Sequence, residues 1–152
     1  MLNWQVGEIR CESSSLSLSA LKLVFIMYIA YLSDTCLLVD GLKVHSSFKL
    51  LPKSYLAITL FGHVFFRMNT DKLIDFLSTE AGMEAINHEK IHMLQAESFK
   101  LKYFTFYILY VWYWFTNLFK QGDAYMNIPF EKEAYANDEN YFYNTTNWKS
   151  YI

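Results

Sequence analysis

Five consecutive residues of the chain, His88-Glu89-Lys90-Ile91-His92, place two imidazoles and a carboxylate in the order H-E-x-x-H. On a helix, His88 and His92 are four positions apart and project from the same face. Imidazole nitrogens at that spacing can bind one Zn²⁺. Glu89 projects to the side of this face, where its carboxylate can take a proton from a water on the metal and pass it to a leaving group. The motif therefore predicts a metal centre suited to hydrolysis.

The residues around the motif favour a helix. Positions 80–101 contain no Pro and a single early Gly, and Ser78 or Thr79 can cap the first turn. Glu84 and Gln95 would lie on the same side of this helix as the two histidines. We expect both to position the histidines rather than to bind the metal themselves.

A catalytic zinc site needs a third protein ligand besides the two histidines. The next candidates lie in Ile128-Pro129-Phe130-Glu131-Lys132-Glu133-Ala134-Tyr135. Pro129 is placed to open a helix, with Asn127 as a possible cap, so that Glu131 and Glu133 lie in or near its first turn.

H-E-x-x-H followed about forty residues later by Glu-x-x-Ala on a second helix resembles the gluzincin zinc peptidases. In membrane-associated members a Glu-x-x-Ala-Asp segment gives the third ligand, and the resemblance assigns that role to Glu131. The chain departs from the pattern at Tyr135, which replaces the Asp, and at Lys90, where an uncharged residue is preferred. Glu133 is expected to face solvent, with metal binding as the alternative, and Tyr135 is a candidate oxyanion donor.

A narrower resemblance is to short bacterial membrane-associated proteins with the same motif. It rests on Leu-Pro-Lys, Ala-Ile-Thr-Leu, Asn-His-Glu-Lys-Ile-His, an aromatic-rich helix and Ile-Pro-Phe-Glu-Lys-Glu-Ala-Tyr, and it runs from about residue 50 to residue 152. It implies a fold like that of zinc metallopeptidases, and it names no substrate.

The composition sets outer limits on the function. A formal charge of −2 over 152 residues gives no indication of nucleic-acid binding. Cys11 and Cys36 match no metal-binding spacing and indicate no disulfide framework, although a single bridge stays open. We predict residues 1–45 as an N-terminal segment of uncertain role, with a possible membrane anchor at 20–32, and residues 46–152 as one zincin-like domain.

The predicted fold is mainly α, of the α+β class. Residues 55–67 are rich in β-branched and aromatic side chains and indicate a strand or hairpin, with Gly62 as a bulge or turn and His63 as a hydrogen-bonded strand histidine. A short helix at 71–78, capped near Asn69, precedes the motif helix.

The motif helix is expected to continue into a charge-free aromatic stretch at 103–119, flanked by Lys100, Lys102 and Lys120. Seventeen charge-free residues are near the lower limit for spanning a bilayer, and Tyr and Trp favour its interface, so a span, an interfacial helix and a core helix all compete. We expect membrane association, at the bacterial inner membrane. If one straight helix runs from His92 to Phe119, Glu131 can reach the histidines only when residues 120–130 return along it as extended chain. The alternative is a bend or break in the helix.

Together these features predict a membrane-associated zinc metallopeptidase in which Zn²⁺ is bound by His88, His92 and Glu131 and Glu89 is the catalytic base. Its partners would be a peptide or protein substrate and membrane lipid. The alternatives are a non-catalytic membrane protein with a structural or vestigial metal site, and a partner-binding subunit that docks through the aromatic helix.

Overall fold

The computed structural model describes residues 7–8, 35–51 and 55–152. The possible anchor at 20–32 lies outside the described residues. The chain divides into two compact units, Met1–Ser78 and Thr79–Ile152. Both strands and helices are present, so the predicted α+β class is confirmed. Five strands are described: β1 (Gly7–Glu8), β2 (Cys36–Val39), β3 (Leu42–His45), β4 (Ala57–Leu60) and β5 (His63–Phe66). The described α-helices are α1 (Thr70–Leu77), α2 (Glu80–Glu97), α3 (Tyr103–Asn117) and α4 (Pro129–Asn137), with a 3₁₀ helix at Trp148–Tyr151.

The first unit is built on a mixed sheet with the strand order β1-β2-β3-β5-β4. Neighbouring strands are antiparallel except for β3 and β5, which run parallel. The loop between β4 and β5 is the pair Phe61-Gly62, and both residues have positive φ, 52° and 85°. Two-residue hairpin turns that match strand twist need this conformation, so Gly62 marks a turn within a hairpin.

A histidine pair lies on this sheet. Nε2 of His45 is 2.8 Å from Nδ1 of His63, which confirms the prediction of a hydrogen-bonded strand histidine. Burial, together with the charges of His63 and Lys43, lowers the pKa of His45 to about 4. Cys36, at the start of β2, is disulfide-bonded, whereas Cys11 lies outside the described residues.

Helices α1 and α2 begin where their capping residues indicate. The side chain of Asn69 accepts a hydrogen bond from the Lys72 backbone N–H, and that of Thr79 accepts one from Gly82. Helix α4 begins at Pro129, but the residue before it is Ile128, which makes no side-chain cap. The prediction of Asn127 as cap is therefore wrong by one position.

The predicted continuous helix from the motif to residue 119 is wrong. Helix α2 ends at Glu97, and α3 begins at Tyr103 after a turn in which Lys102 has a positive φ of 42°. This break allows α3 to pack beside α2, because Phe106 of α3 joins Ala96 of α2 in the core of the second unit. Ile128, Phe130 and Trp148 complete that core.

The charge-free stretch forms the fifteen-residue helix α3, which is shorter than the predicted seventeen residues. Within residues 7–8, 35–51 and 55–152, no helix combines the length and apolar content needed to cross a bilayer.

Candidate metal centre

The second unit brings His88, His92 and Glu131 together in a buried cluster that could hold a metal ion, with one ligand atom of each within 4.8 Å of the others. Nε2 of His88 lies 3.2 Å from Oε2 of Glu131, and Nε2 of His92 lies 3.2 Å from Oε1. Ligands about 2.0 Å from a tetrahedral zinc are roughly 3.3 Å apart. The two nitrogen–oxygen distances therefore have the spacing of neighbouring zinc ligands.

Three local features place these ligand atoms. Helix α2 puts His88 and His92 one turn apart on one face, with ring centroids 4.8 Å apart. Pro129 starts α4, so Glu131 lies in the first turn of that helix. A carboxylate is stabilised there by the unpaired N–H groups of the helix N-terminus. The break after Glu97 turns α3 so that its side chains reach the same carboxylate.

Two tyrosines hold the carboxylate of Glu131. The hydroxyl of Tyr110, from α3, donates to Oε1 at 2.6 Å, and the hydroxyl of Tyr125 donates to Oε2 at 2.7 Å. Each oxygen therefore faces one hydroxyl and one imidazole. Burial and the charge of Glu131 raise the pKa of Tyr125 far above its usual value, which keeps that hydroxyl protonated as a donor.

The electrostatics of the cluster favour the ionised form of Glu131. Burial alone would raise the pKa of its carboxyl, but the charges and hydrogen bonds of His92 and His88 outweigh this and lower the pKa well below its usual range. Burial alone would likewise lower the pKa of His92, whereas the charge of Glu131, assisted by Glu89 and Gln95, raises it to about 9. The carboxylate is thus in the form that binds metals, whereas His92, with a pKa of about 9, must release a proton when it binds one.

Gln95 fixes the orientation of His92. Its Nε2 donates to the backbone carbonyl of Phe130 at 2.9 Å and to Oε2 of Glu133 at 2.6 Å. Because the amide nitrogen faces two acceptors, the amide oxygen faces His92, whose Nδ1 lies at 2.8 Å and donates to it. With its proton on Nδ1, a neutral His92 presents the lone pair of Nε2 to the metal position.

The prediction that Glu133 faces solvent is wrong. Its relative exposure is 0%, and its carboxylate accepts hydrogen bonds from Gln95, from the hydroxyls of Tyr143 and Thr146 at 2.7 Å, and from the backbone N–H of Asn147. A buried carboxylate with four donors is satisfied without a metal. Glu133 therefore connects the C-terminal segment to Gln95, and through Gln95 to His92.

Asn87 and Asp138 tie the motif helix to the end of α4. The side-chain amide of Asn87 lies 2.8–3.3 Å from the carbonyl oxygens of Asn137, Asp138 and Asn140, at and just beyond the end of α4. The carbonyls of Asn137 and Asn140 also accept hydrogen bonds from the backbone N–H groups of Asn140 and Tyr143. Oδ2 of Asp138 lies 3.9 Å from Nδ1 of His88. Both ends of α4 are thus linked to α2, one through Glu131 and the other through Asn87.

The remaining predicted site residues, Glu89, Tyr135 and Glu84, are not part of the cluster of His88, His92 and Glu131. Glu89 is buried in α2 beside His88, and its charge contributes to the raised pKa of His92. The ring of Tyr135 lies 4.5 Å from that of His88 and is partly exposed. Glu84 is outside the three-ligand cluster; burial and the nearby charges of Glu80, Glu139 and Asp138 raise its pKa.

Four residues of the site carry no sequence signal that singles them out. Tyr110 and Tyr125 are two of twelve tyrosines, and their role depends on the helix break after Glu97. Asn87 and Asp138 meet over a separation of 51 residues. Only the position of Asn87 directly before the motif could have drawn attention to it.

No protein family, no curated protein and no solved structure matches this chain. The resemblance to gluzincins therefore rests on the quoted motifs alone and stays a prediction.

Proposed function

We propose that this protein is a membrane-associated, zinc-dependent metallopeptidase of the gluzincin type. The observation that carries the proposal is the spacing of the three ligands. In a buried cluster, Nε2 of each histidine of the H-E-x-x-H helix lies 3.2 Å from an oxygen of the Glu131 carboxylate, which belongs to a second helix. Glu89 directly follows the first histidine of the motif. Its carboxylate supplies the base that hydrolysis requires.

The donor set favours zinc over Mg²⁺ and Ca²⁺. Two imidazoles and one carboxylate are the protein ligands of one large class of catalytic zinc sites, whereas Mg²⁺ and Ca²⁺ favour sets made of oxygen ligands alone. Three protein ligands leave a fourth tetrahedral position for water or substrate. A purely structural zinc site is more often closed by four protein ligands, and the cluster found among the described residues contains three.

Different residues of the chain have different roles in the proposed hydrolysis. A zinc ion at His88, His92 and Glu131 would supply Lewis-acid polarisation of a carbonyl and would lower the pKa of a water. Glu89 takes the proton of the attacking water and gives it to the leaving amide nitrogen, which must be protonated before the C–N bond breaks. Tyr110, Tyr125 and Gln95 keep the ligand atoms in place during this exchange.

The metal is tested first, by elemental analysis of the purified full-length protein. We expect about one zinc per chain, lost in both His88→Ala and Glu131→Ala. The exposed residue Glu97, also on α2, offers a control, and Glu97→Ala should keep the metal. If the wild-type protein stays free of zinc after reconstitution, the proposal is wrong.

The reaction is tested next, with a mixture of peptides of varied sequence and mass-spectrometric detection of cleavage. Glu89→Gln should keep zinc and reduce cleavage by about a hundredfold or more, while Glu97→Gln makes the same chemical change at an exposed position and should have no effect. Zinc without any cleavage by the wild-type protein would indicate a structural site. Full cleavage by Glu89→Gln would exclude Glu89 as the base.

A further inference from the structure

The outward surface of α3 is apolar along its whole length. Its inward side packs into the core through Phe106, Tyr110 and Tyr113. On the opposite side, exposed apolar residues recur at intervals of three and four from before the helix to beyond its end. We call these residues the outer stripe: Leu101, Phe104, Ile108, Val111, Trp112, Phe115, Leu118 and Phe119, each at least half exposed.

A stripe of this kind is not an ordinary surface. At 100° per residue, the members that lie within α3, which are Phe104, Ile108, Val111, Trp112 and Phe115, fall within an arc of about 100°. Single exposed apolar residues are common, but a contiguous patch of eight, with Phe119 at 78% exposure, is typical of a surface that another molecule covers.

The charges around the outer stripe indicate what covers it. Between Glu97 and Asp123 the chain has three lysines, Lys100, Lys102 and Lys120, and no acidic residue. This segment therefore carries +3 in a chain whose net charge is −2. Lysines beside an apolar helix face, with Trp and Phe on that face, are the pattern of helices that lie in the interface of an anionic bilayer.

A second copy of the chain fits this surface less well. If two outer stripes met in parallel, Lys100 and Lys102 of one copy would lie beside the same residues of the other. In an antiparallel arrangement they would lie beside Lys120. Both arrangements bring like charges together, whereas anionic headgroups would neutralise them.

We propose that the outer stripe of α3 docks this protein onto an anionic lipid surface, with α3 lying in the plane of the bilayer. Because Tyr110 on the inward side of α3 contacts Glu131, docking brings the metal centre within about one helix diameter, roughly 10 Å, of the lipid. Docking deepens the membrane association of the proposed function. The substrate would then be a peptide segment at the membrane surface, and this point rests on the metallopeptidase part of that function.

The test is co-sedimentation of the full-length protein with vesicles of phosphatidylcholine alone and of equal parts phosphatidylcholine and phosphatidylglycerol. We expect binding to the anionic vesicles that weakens with salt and falls about fivefold for each lysine changed to Gln. The double variant Val111→Glu, Trp112→Glu should bind at least about tenfold more weakly. Phe142→Glu is the matched control, because Phe142 is exposed outside the outer stripe, and it should bind like the wild type.

Three outcomes of the vesicle assay would overturn the docking proposal: no binding to either vesicle, equal binding to both, or undiminished binding of the Val111→Glu, Trp112→Glu variant. A dimer found by light scattering that this variant abolishes would assign the outer stripe to a second copy and would also overturn it. As a second measure, bromine on the acyl chains should quench the tryptophan fluorescence of the wild-type protein and quench that of this variant less. Vesicle binding requires no hydrolysis, so a failure of the metallopeptidase proposal would be seen separately.

Discussion

Replacing Gln95 by Leu tests the proposed orientation of His92 most directly. The side chain is fully buried and connects three groups: Nδ1 of His92, the carbonyl of Phe130 and the carboxylate of Glu133. Leucine has nearly the same volume and can form none of these hydrogen bonds. The change therefore removes the polar contacts and leaves the packing nearly unchanged.

The expected effects can be worked from those contacts. Glu133 keeps the donors Tyr143, Thr146 and Asn147, and the carbonyl of Phe130 remains an acceptor within helix α4, whereas the Nδ1–H of His92 loses its acceptor. A buried polar group left unpaired costs about 1–3 kcal/mol. We expect the free energy of unfolding to fall by about 1–3 kcal/mol and the zinc affinity to fall by about ten- to a hundredfold.

The assay is competition for zinc with a chromophoric chelator, under conditions where urea titration shows the variant to be folded. Gln121→Leu makes the same change at an exposed residue and should leave both quantities unchanged. Nitrogen NMR of His92, at a pH above its pKa of about 9, should show the proton on Nδ1 in the wild-type protein and a mixture of tautomers in the variant. A folded Gln95→Leu protein with wild-type zinc affinity would refute the reasoning.

Three further predictions concern single contacts. Tyr110→Phe removes one donor to the Glu131 carboxylate; it should lower zinc affinity about tenfold, measured by the same chelator competition. Asn87→Ala removes the side-chain donor to the Asp138 carbonyl at the end of α4 and should destabilise the protein by about 1–3 kcal/mol in urea unfolding. The pKa of His45 falls from 6.5 to about 4 on folding, so an unfolded chain binds a proton that the folded chain does not. Stability should therefore decrease as the pH falls from 6.5 to about 4, by at most about 3 kcal/mol, and His45→Phe should remove this part of the urea-unfolding pH profile.

The parts of the structure that the sequence predicts well depend on residues close together in the chain. The N-caps Asn69 and Thr79 and the helix start at Pro129 each require only a few neighbouring residues. The same is true of the turn at Gly62 and of the two histidines on one helix face. In these places the local preference of the backbone and the final fold agree.

The helix break after Glu97 could not be predicted from local preference. Residues 98–102 contain neither Gly nor Pro, and Lys102 takes a positive φ that lysine rarely adopts. The contacts that stabilise the break lie elsewhere in the chain, because the break allows Phe106 to join the core and Tyr110 to reach Glu131. Tertiary packing outweighs propensity here.

The burial of Glu133 was missed for a related reason. A Glu two residues after Glu131, in a short helix with Lys132 between them, has the ordinary composition of a surface turn. Its donors come from α2 and from residues 143–147, which no local pattern connects to it. Charged residues are rarely buried unless they are paired, and here the pairing becomes visible only in three dimensions.

The hydrogen bonds to Glu133 also set an order of events during synthesis. The three ligands have all been made once the ribosome has passed Glu131, but Thr146 and Asn147, which hold Glu133 and so support Gln95, are made later. Until those donors have been made, burial of the Glu133 carboxylate is costly, which disfavours the buried position that it has in the folded chain. The centre thus takes its final form only when almost the whole second unit has been translated, and a chain interrupted before residue 146 would carry the complete motif without its support.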